Sequence, residues 1–308
     1  MKGRDLLSIS DLNPEELDFL INSALSMKRD GNRPVLDGKT VALIFEKPSL
    51  RTRVSFEVGM KQLGGSAIYL SQAEVGLGQR ESVADIARVL SRYVAGIVSR
   101  TYGQQLLVDL AASADVPVVN ALTDEEHPCQ ALADLLTVRE KMGRIAGVRI
   151  AFIGDGNNVA ASLALACGLA GAELVIASPE GFSLPANIVE AARHWAARTG
   201  GAIETVIAPD EAVRGADVVY TDVWTSMGQE AAWRERQEAF QGYQVNTALM
   251  KLAKPEAIFM HDLPAHRGEE IDDEVIESAQ SVVFDQAENR LHAQKALLAA
   301  IMGEESGY

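Results

Sequence analysis

The chain has 308 residues, 47% hydrophobic and 23% charged, with a formal net charge of −15. These proportions fit a folded globular protein with room for two domains, and the negative charge argues against nonspecific binding to nucleic acid or to anionic membranes. No apolar run is long enough to span a bilayer, no secretory apolar core follows Met1-Lys2-Gly3-Arg4-Asp5, and Cys129 and Cys167 form no Cys-x-x-Cys pair, so a cytoplasmic protein with neither a disulfide framework nor a cysteine-based metal site is expected.

The first helix opens at Asp11-Leu12-Asn13-Pro14-Glu15-Glu16, which supplies a cap, a first-turn proline and acids near the positive end of the dipole. The apolar run Val41-Ala42-Leu43-Ile44-Phe45 reads as a buried strand, and an amphipathic helix follows it as far as Gly64-Gly65. Residues 66–70 predict the next strand, Gly76-Leu77-Gly78 a loop, residues 81–93 an amphipathic helix, and residues 96–99 a strand ending at Arg100. Residues 116–120 predict a further strand and 131–140 a helix. A second unit begins near Gly147, with strands expected at 148–153, 174–177, 204–207, 218–220 and 257–260, and a helix at 159–169. Residues 229–251 read as polar, irregular and mobile, and the last helix, from Glu288 to Met302, is long enough to pack back on the first unit. Alternating strands and helices imply an α/β fold of two doubly wound parallel-sheet domains with a cleft between them. The boundaries fall at 1–140 and 147–287, with 288–308 returning to the first domain.

Polar clusters follow one strand after another: Ser49 to Arg53, Arg100-Thr101, Asp155 to Asn158, Asp222 to Met227 and His261 to Arg267. In parallel sheets ligands bind beyond the carboxyl ends of strands, so these clusters predict one cleft lined by both units. Ser49-Leu50-Arg51-Thr52-Arg53 places a hydroxyl cap and two guanidiniums where a strand feeds a helix, an arrangement suited to phosphate. An ordinary cap with solvated arginines remains equally open for these five residues alone. In His127-Pro128-Cys129-Gln130 the spacing of three lets His127 and Gln130 share one side of a helix start, where an imidazole can polarise a carbonyl and an amide oxygen can accept from an NH₂ group; a histidine satisfied by local backbone is the plainer reading. Gly38-Lys39-Thr40 lacks the earlier glycine of a P-loop, and Gly154-x-Gly156 lacks the third glycine of a dinucleotide fingerprint because Val159 stands there. The histidines lack zinc-protease spacing, and no Gly-x-Ser-x-Gly elbow occurs.

Taken together these segments resemble the transcarbamoylase family, in motif order and over nearly the whole chain, and most closely its ornithine-using branch. Residues 45–53 are similar to the family's carbamoyl-phosphate loop, with Leu50 where threonine is common and able to contribute its backbone N–H. The resemblance implies that Ser49, Leu50, Arg51, Thr52 and Arg53 hold the phosphate, that Arg100 and His127 donate to the carbonyl oxygen, and that Gln130 orients the carbamoyl NH₂. It implies that Asn158 binds the acceptor's α-carboxylate, that Ser226 and the Met227 N–H bind its α-amino end, that Asp222 and Asp262 bind its cationic groups, and that Leu263 is an ornithine-binding residue. Arg290 matches the acceptor half. Two departures stand out: Asp262 where the family has cysteine, and Gly76 where it places a glutamine or histidine that reaches a neighbouring subunit, a role open to Gln79 or Arg80. The implied reaction makes L-citrulline and phosphate from carbamoyl phosphate and L-ornithine in arginine biosynthesis, with putrescine as an alternative acceptor. No metal or organic cofactor is expected, since phosphate is already a leaving group. A homotrimer or dimer of trimers is implied, with no nucleic-acid or membrane partner.

Overall fold

The computed structural model describes residues 1–31, 33–78, 80–225 and 233–303. The chain divides into two compact units, one of Met1–Leu136 with Glu288–Tyr308 and one of Thr137–Ala287. The first contains α1 (Pro14–Asp30), β1 (Thr40–Phe45), α2 (Leu50–Gln62), β2 (Ser66–Ser71), α3 (Gln72–Val75), α4 (Val83–Leu90), β3 (Gly96–Arg100), α5 (Gln104–Ser113), β4 (Val118–Leu122) and the start of α6 (Pro128–Met142). The second contains β5 (Arg149–Ile153), α7 (Asn158–Ala170), β6 (Glu173–Ala177), α8 (Ala186–Thr199), β7 (Ala202–Val206), α9 (Pro209–Val213), β8 (Val218–Thr221), α10 (Trp233–Ala239), α11 (Thr247–Met250), β9 (Ile258–His261), α12 (Asp273–Ile276) and the start of α13 (Val283–Met302).

Both sheets are parallel throughout, in the orders β2-β1-β3-β4 and β7-β6-β5-β8-β9. Strand order reverses between β1 and β3 in the first and between β5 and β8 in the second, where a doubly wound sheet opens a crevice at its carboxyl edge. Continuous apolar runs form these strands because helices cover both faces: Val41, Leu43, Ile44, Ile97 and Val98 in the first unit, and Ile150, Phe152, Val219 and Phe259 in the second, are buried. Each such side chain contributes about 1.5–3 kcal/mol on burial.

Several boundaries differ from expectation, each for a local reason. The helix foreseen at 81–93 contracts to α4, because the Ser82 hydroxyl accepts the Asp85 N–H at 3.1 Å and so starts it at Val83. Pro117 cannot donate to a ladder, and β4 starts at Val118, two residues later than expected. Pro128 occupies the first helical position of α6, so Gln130 lies inside the helix and not ahead of it. The segment foreseen as irregular and mobile holds α10 and α11 among its described residues. It buries Phe240, Tyr243, Val245 and Met250 in the core of the second unit, so that part of the expectation is corrected. Helices α5 and α8 were not foreseen.

Candidate active site

In the first unit the candidate residues converge on the carboxyl ends of β1, β3 and β4. Ser49 caps α2, accepting the Thr52 N–H at 3.2 Å and donating its hydroxyl to Thr52 Oγ1 at 2.9 Å. Leu50 and Arg51 start the helix, where backbone N–H groups point out along the axis and favour an anion. Arg100 ends β3 and is 9% exposed. Its register with β4 slips: Ser99 faces Asn120 whereas Arg100 faces Leu122. Such an irregularity re-aims a side chain at a sheet edge.

His127 and Gln130 are 3% and 1% exposed. Burial first, and then the guanidiniums of Arg290, Arg100 and Arg51, hold the His127 pKa well below its ordinary 6.5, so the ring is neutral near pH 7. It can therefore act as a neutral N–H donor, not as an imidazolium. Gln130 is fixed at both ends of its amide: Oε1 accepts from Arg290 Nη1 at 2.6 Å, and Nε2 donates to the buried Asp134 Oδ1 at 2.8 Å. Arg290 Nη2 also donates to Thr52 Oγ1 at 3.2 Å. Arg290, expected to match the acceptor half, thus contacts two residues of the donor set. Residue 290 lies on the part of α13 that returns to the first unit, with Thr52 and Gln130. Cys129 is no nucleophile: burial pushes its thiol up to about 12.

Arg53 goes elsewhere. Its Nε donates to Glu57 at 2.9 Å and its guanidinium lies 3.8 Å from the centre of the Tyr69 ring, against β2. These contacts are with α2 and the edge strand, not with Thr52, Gln130 and Arg290. Gly76 caps α3 in the left-handed region at φ 59°, and a Cβ there would lie 2.7 Å from Arg80 Cβ. The position is therefore built for glycine, with no room for a reaching side chain. Gln79 lies outside the described residues; Arg80 is exposed.

The second unit gathers its candidates beyond β5, β8 and β9. Asp222 is 5% exposed and accepts from Asn157 Nδ2 and from the Val223 N–H, both at 2.7 Å. The other end of the Asn157 amide caps α7, its Oδ1 taking the N–H groups of Val159 at 3.0 Å and Ala160 at 3.1 Å. Asn158 is the first residue of α7. Asp262 follows β9, and carboxylate or ring atoms of Asp222, His261 and Asp262 lie within 4.8 Å of one another. Leu263 adopts φ 59°. Ser226 and Met227, expected at the acceptor's α-amino end, lie outside the described residues, as does Gly228. The segment leading to them is anchored: Arg236 Nη1 donates to Asp155 Oδ2 at 2.6 Å and to the Trp224 carbonyl at 2.7 Å, and Trp224 stacks on Phe240 with ring centres 5.7 Å apart.

Among the described residues, the clusters Asp222–His261–Asp262 and His266–Glu269–Glu270 have the spacing of metal ligands. In the first, His261 Nδ1 takes the Leu263 N–H and Nε2 faces Glu270 Oε1, so neither ring nitrogen is left for an ion. The Gly154-x-Gly156 pair has a packing reason: a Cβ on Gly156 would sit 2.3 Å from the Leu184 nitrogen.

Sequence reading missed Lys47, which is 4% exposed, paired with Asp124 and 4.3 Å from the Tyr102 ring centre, and which thereby ties together the ends of β1, β3 and β4. It also missed Asp134 and the double role of Asn157. For Asp134 a signal existed, since it stands four residues after Gln130 on the same helix face.

Comparisons with known proteins agree on one kinship. The description "Aspartate/ornithine carbamoyltransferase, carbamoyl-P binding domain" matches residues 4–140, and "Aspartate/ornithine carbamoyltransferase, Asp/Orn binding domain" matches residues 146–301. Ornithine carbamoyltransferase of Bacillus subtilis is 53% identical over 306 residues, covering 99% of this chain and 96% of the relative. The anabolic ornithine carbamoyltransferase of Pyrococcus furiosus is 52% identical over 307 residues, covering 98% of both chains. The solved structure of ornithine carbamoyltransferase from P. furiosus superposes with a TM-score of 0.95 at 52% identity, covering 98% of this chain and 97% of that one.

Proposed function

The chain belongs to the aspartate/ornithine carbamoyltransferase family, and from that premise we propose how its own residues carry out the transfer of a carbamoyl group from carbamoyl phosphate to the side-chain amine of L-ornithine. The products are L-citrulline and phosphate, and the direction is that of arginine biosynthesis. The observation that carries the residue assignment is the cluster of Arg51, Arg100 and Arg290 around a neutral, buried His127.

The donor dianion is held by the Ser49 and Thr52 hydroxyls, the Leu50 N–H and Arg51. Arg100 and the His127 N–H donate to the carbonyl oxygen, where negative charge grows as the carbon becomes tetrahedral. Removing one such preorganised donor costs about 3–4 kcal/mol of barrier. Gln130 orients the carbamoyl NH₂ through its remaining acceptor lone pair, its amide direction fixed by Arg290 and Asp134. Arg53, engaged with Glu57 and Tyr69, is left out of this set.

On the acceptor side Asn158 takes the α-carboxylate, Ser226 and the Met227 N–H take the α-amino group beside it, Asp222 and Asp262 take the cationic groups, and Leu263 lines the site. The neutral side-chain amine attacks the carbonyl carbon, the C–O bond to phosphate breaks, and the departing phosphate takes the proton. Asp222 and Asp262 hold cations and are poorly matched as bases for an amine whose reference pKa is about 10.

The protein works as a cytoplasmic homotrimer or dimer of trimers. Support comes from an apolar stripe at four-residue spacing on α2, where Leu50, Val54 and Val58 are 76%, 46% and 37% exposed, beside Ile68 of edge strand β2 at 51%. Among the described residues, no helix is long and apolar enough to cross a membrane.

The test is a steady-state assay across a panel of amines with calorimetric binding of carbamoyl phosphate. Citrulline formation with ornithine should exceed carbamoylation of putrescine by orders of magnitude in kcat/KM; comparable rates would reassign the acceptor. Sedimentation velocity should give the mass of three chains or six.

A further inference from the structure

We propose that Glu270 is a positioning residue for the acceptor side, acting through His261 to hold the corner that presents Asp262 and Leu263. The inference deepens the acceptor assignment made above and rests on it for its kinetic part. The hydrogen bonds themselves fix the direction of the relay. A backbone N–H can only donate, so the Leu263 N–H at 2.9 Å makes His261 Nδ1 the lone-pair nitrogen. The ring proton is then on Nε2, which donates to Glu270 Oε1 at 3.1 Å. The same carboxylate oxygen accepts the His266 N–H at 2.6 Å. One buried oxygen thus ties both ends of the segment from 261 to 266, and the His261 backbone is held separately by Gln286 Oε1 at 2.9 Å.

The corner needs holding. Leu263 is the non-glycine residue with positive φ among the described residues, a conformation that persists only where surrounding contacts over-determine it. Both His261 and Glu270 are 0% exposed, and both donors meet the carboxylate on Oε1, while its buried Oε2 has no hydrogen-bond partner among the described residues. In the other tautomer two N–H groups would face each other at Leu263, and the turn that aims the Asp262 carboxylate toward Asp222 would lose its inner brace. Glu270 touches neither substrate in this scheme. It selects the tautomer, and the tautomer holds the turn.

The test uses the full chain with saturating carbamoyl phosphate. Glu270→Leu should raise the ornithine KM at least tenfold while the carbamoyl-phosphate KM stays within twofold, and Glu270→Gln, which keeps an acceptor oxygen, should remain within threefold of the unsubstituted enzyme on ornithine. Magic-angle-spinning spectra of ¹⁵N-histidine-labelled protein, assigned by the signal lost in His261→Asn, should show His261 protonated on Nε2 and not on Nδ1. A folded Glu270→Leu enzyme with an unchanged ornithine KM, or with both KM values raised alike, overturns the proposal. So does a proton on Nδ1. If the leucine variant does not fold, the glutamine variant's KM and the tautomer decide. If the unsubstituted protein carbamoylates no amine, the acceptor assignment fails, and the ¹⁵N spectrum still decides the relay by itself.

Discussion

The guanidinium of Arg290 donates to Gln130 Oε1 at 2.6 Å and to Thr52 Oγ1 at 3.2 Å, joining the C-terminal helix to two residues that lie far from it in sequence. With Asp134 on the other end of the Gln130 amide, rotation of that amide would break two buried bonds at once. Arg290→Gln leaves a buried acceptor without its charged donor, a loss worth about 1.5–3 kcal/mol. The kcat/KM for carbamoyl phosphate should fall roughly tenfold to hundredfold. The His127 pKa should also rise, because one of the charges depressing it is gone, and histidine NMR titration reads that shift.

His127 also sets a stability-versus-pH trend. Its folded-state pKa lies well below the unfolded value of about 6.5, so unfolding takes up a proton in acid. The stabilising contribution is complete above about pH 6.5 and is lost as pH falls toward the folded-state value, at up to about 1.4 kcal/mol per pH unit. Denaturant unfolding at several pH values should show this slope, and His127→Gln should flatten it. His292, also depressed by burial, adds a contribution of the same sign.

Asp262 bears on the amine. Two carboxylates near an ammonium favour its charged form and raise its pKa, by about 1–3 units for each close opposite charge. Asp262→Asn should therefore move the acid limb of the kcat profile, measured at saturating ornithine and carbamoyl phosphate, to lower pH, from an alkaline optimum in the unsubstituted enzyme. An unmoved limb would assign Asp262 to the α-amino group instead.

The two arginines of the α2 loop should separate. Arg51 contributes to the field at His127, whereas Arg53 is spent on Glu57 and Tyr69. Arg51→Ala should cost roughly tenfold to a hundredfold in kcat/KM for carbamoyl phosphate, in line with loss of a charged hydrogen bond to the phosphate worth about 1.5–3 kcal/mol. Arg53→Ala should cost far less, and equal losses would restore Arg53 to the donor site.

Gly76→Gln, which reinstates a family side chain, should lower stability by about 1–2 kcal/mol through the left-handed backbone alone. Thermal unfolding measures the drop. A stability equal to that of the unsubstituted protein would mean the turn relaxes around the new Cβ.

Much of the architecture was legible because parallel strands are buried on both faces and read as short apolar runs: residues 41–45 and 174–177 lie within β1 and β6. Helix α5 escaped notice because only Leu107 and Leu110 of its ten residues are buried, too few to mark a period. The donor loop was legible in composition but not in aim. Nothing local distinguishes Arg51 from Arg53; the neighbours that claim Arg53, Glu57 and Tyr69, come partly from the next strand. The partners of Arg290, Gln130 and Thr52, were not legible, since they are distant from it in sequence. The slip beside Arg100 and the Leu263 corner leave no periodic trace at all.

Asn157 narrows what evolution can write at one position. Serine, threonine, aspartate and asparagine generally substitute for one another at the head of a helix. Here the amide oxygen starts α7 while the amide nitrogen steadies Asp222. Aspartate would serve the helix yet repel its acidic neighbour, and a hydroxyl would serve the helix yet fall short of it. An exchange that is silent at most helix starts would therefore be felt in this one through the placement of Asp222, and so in turnover.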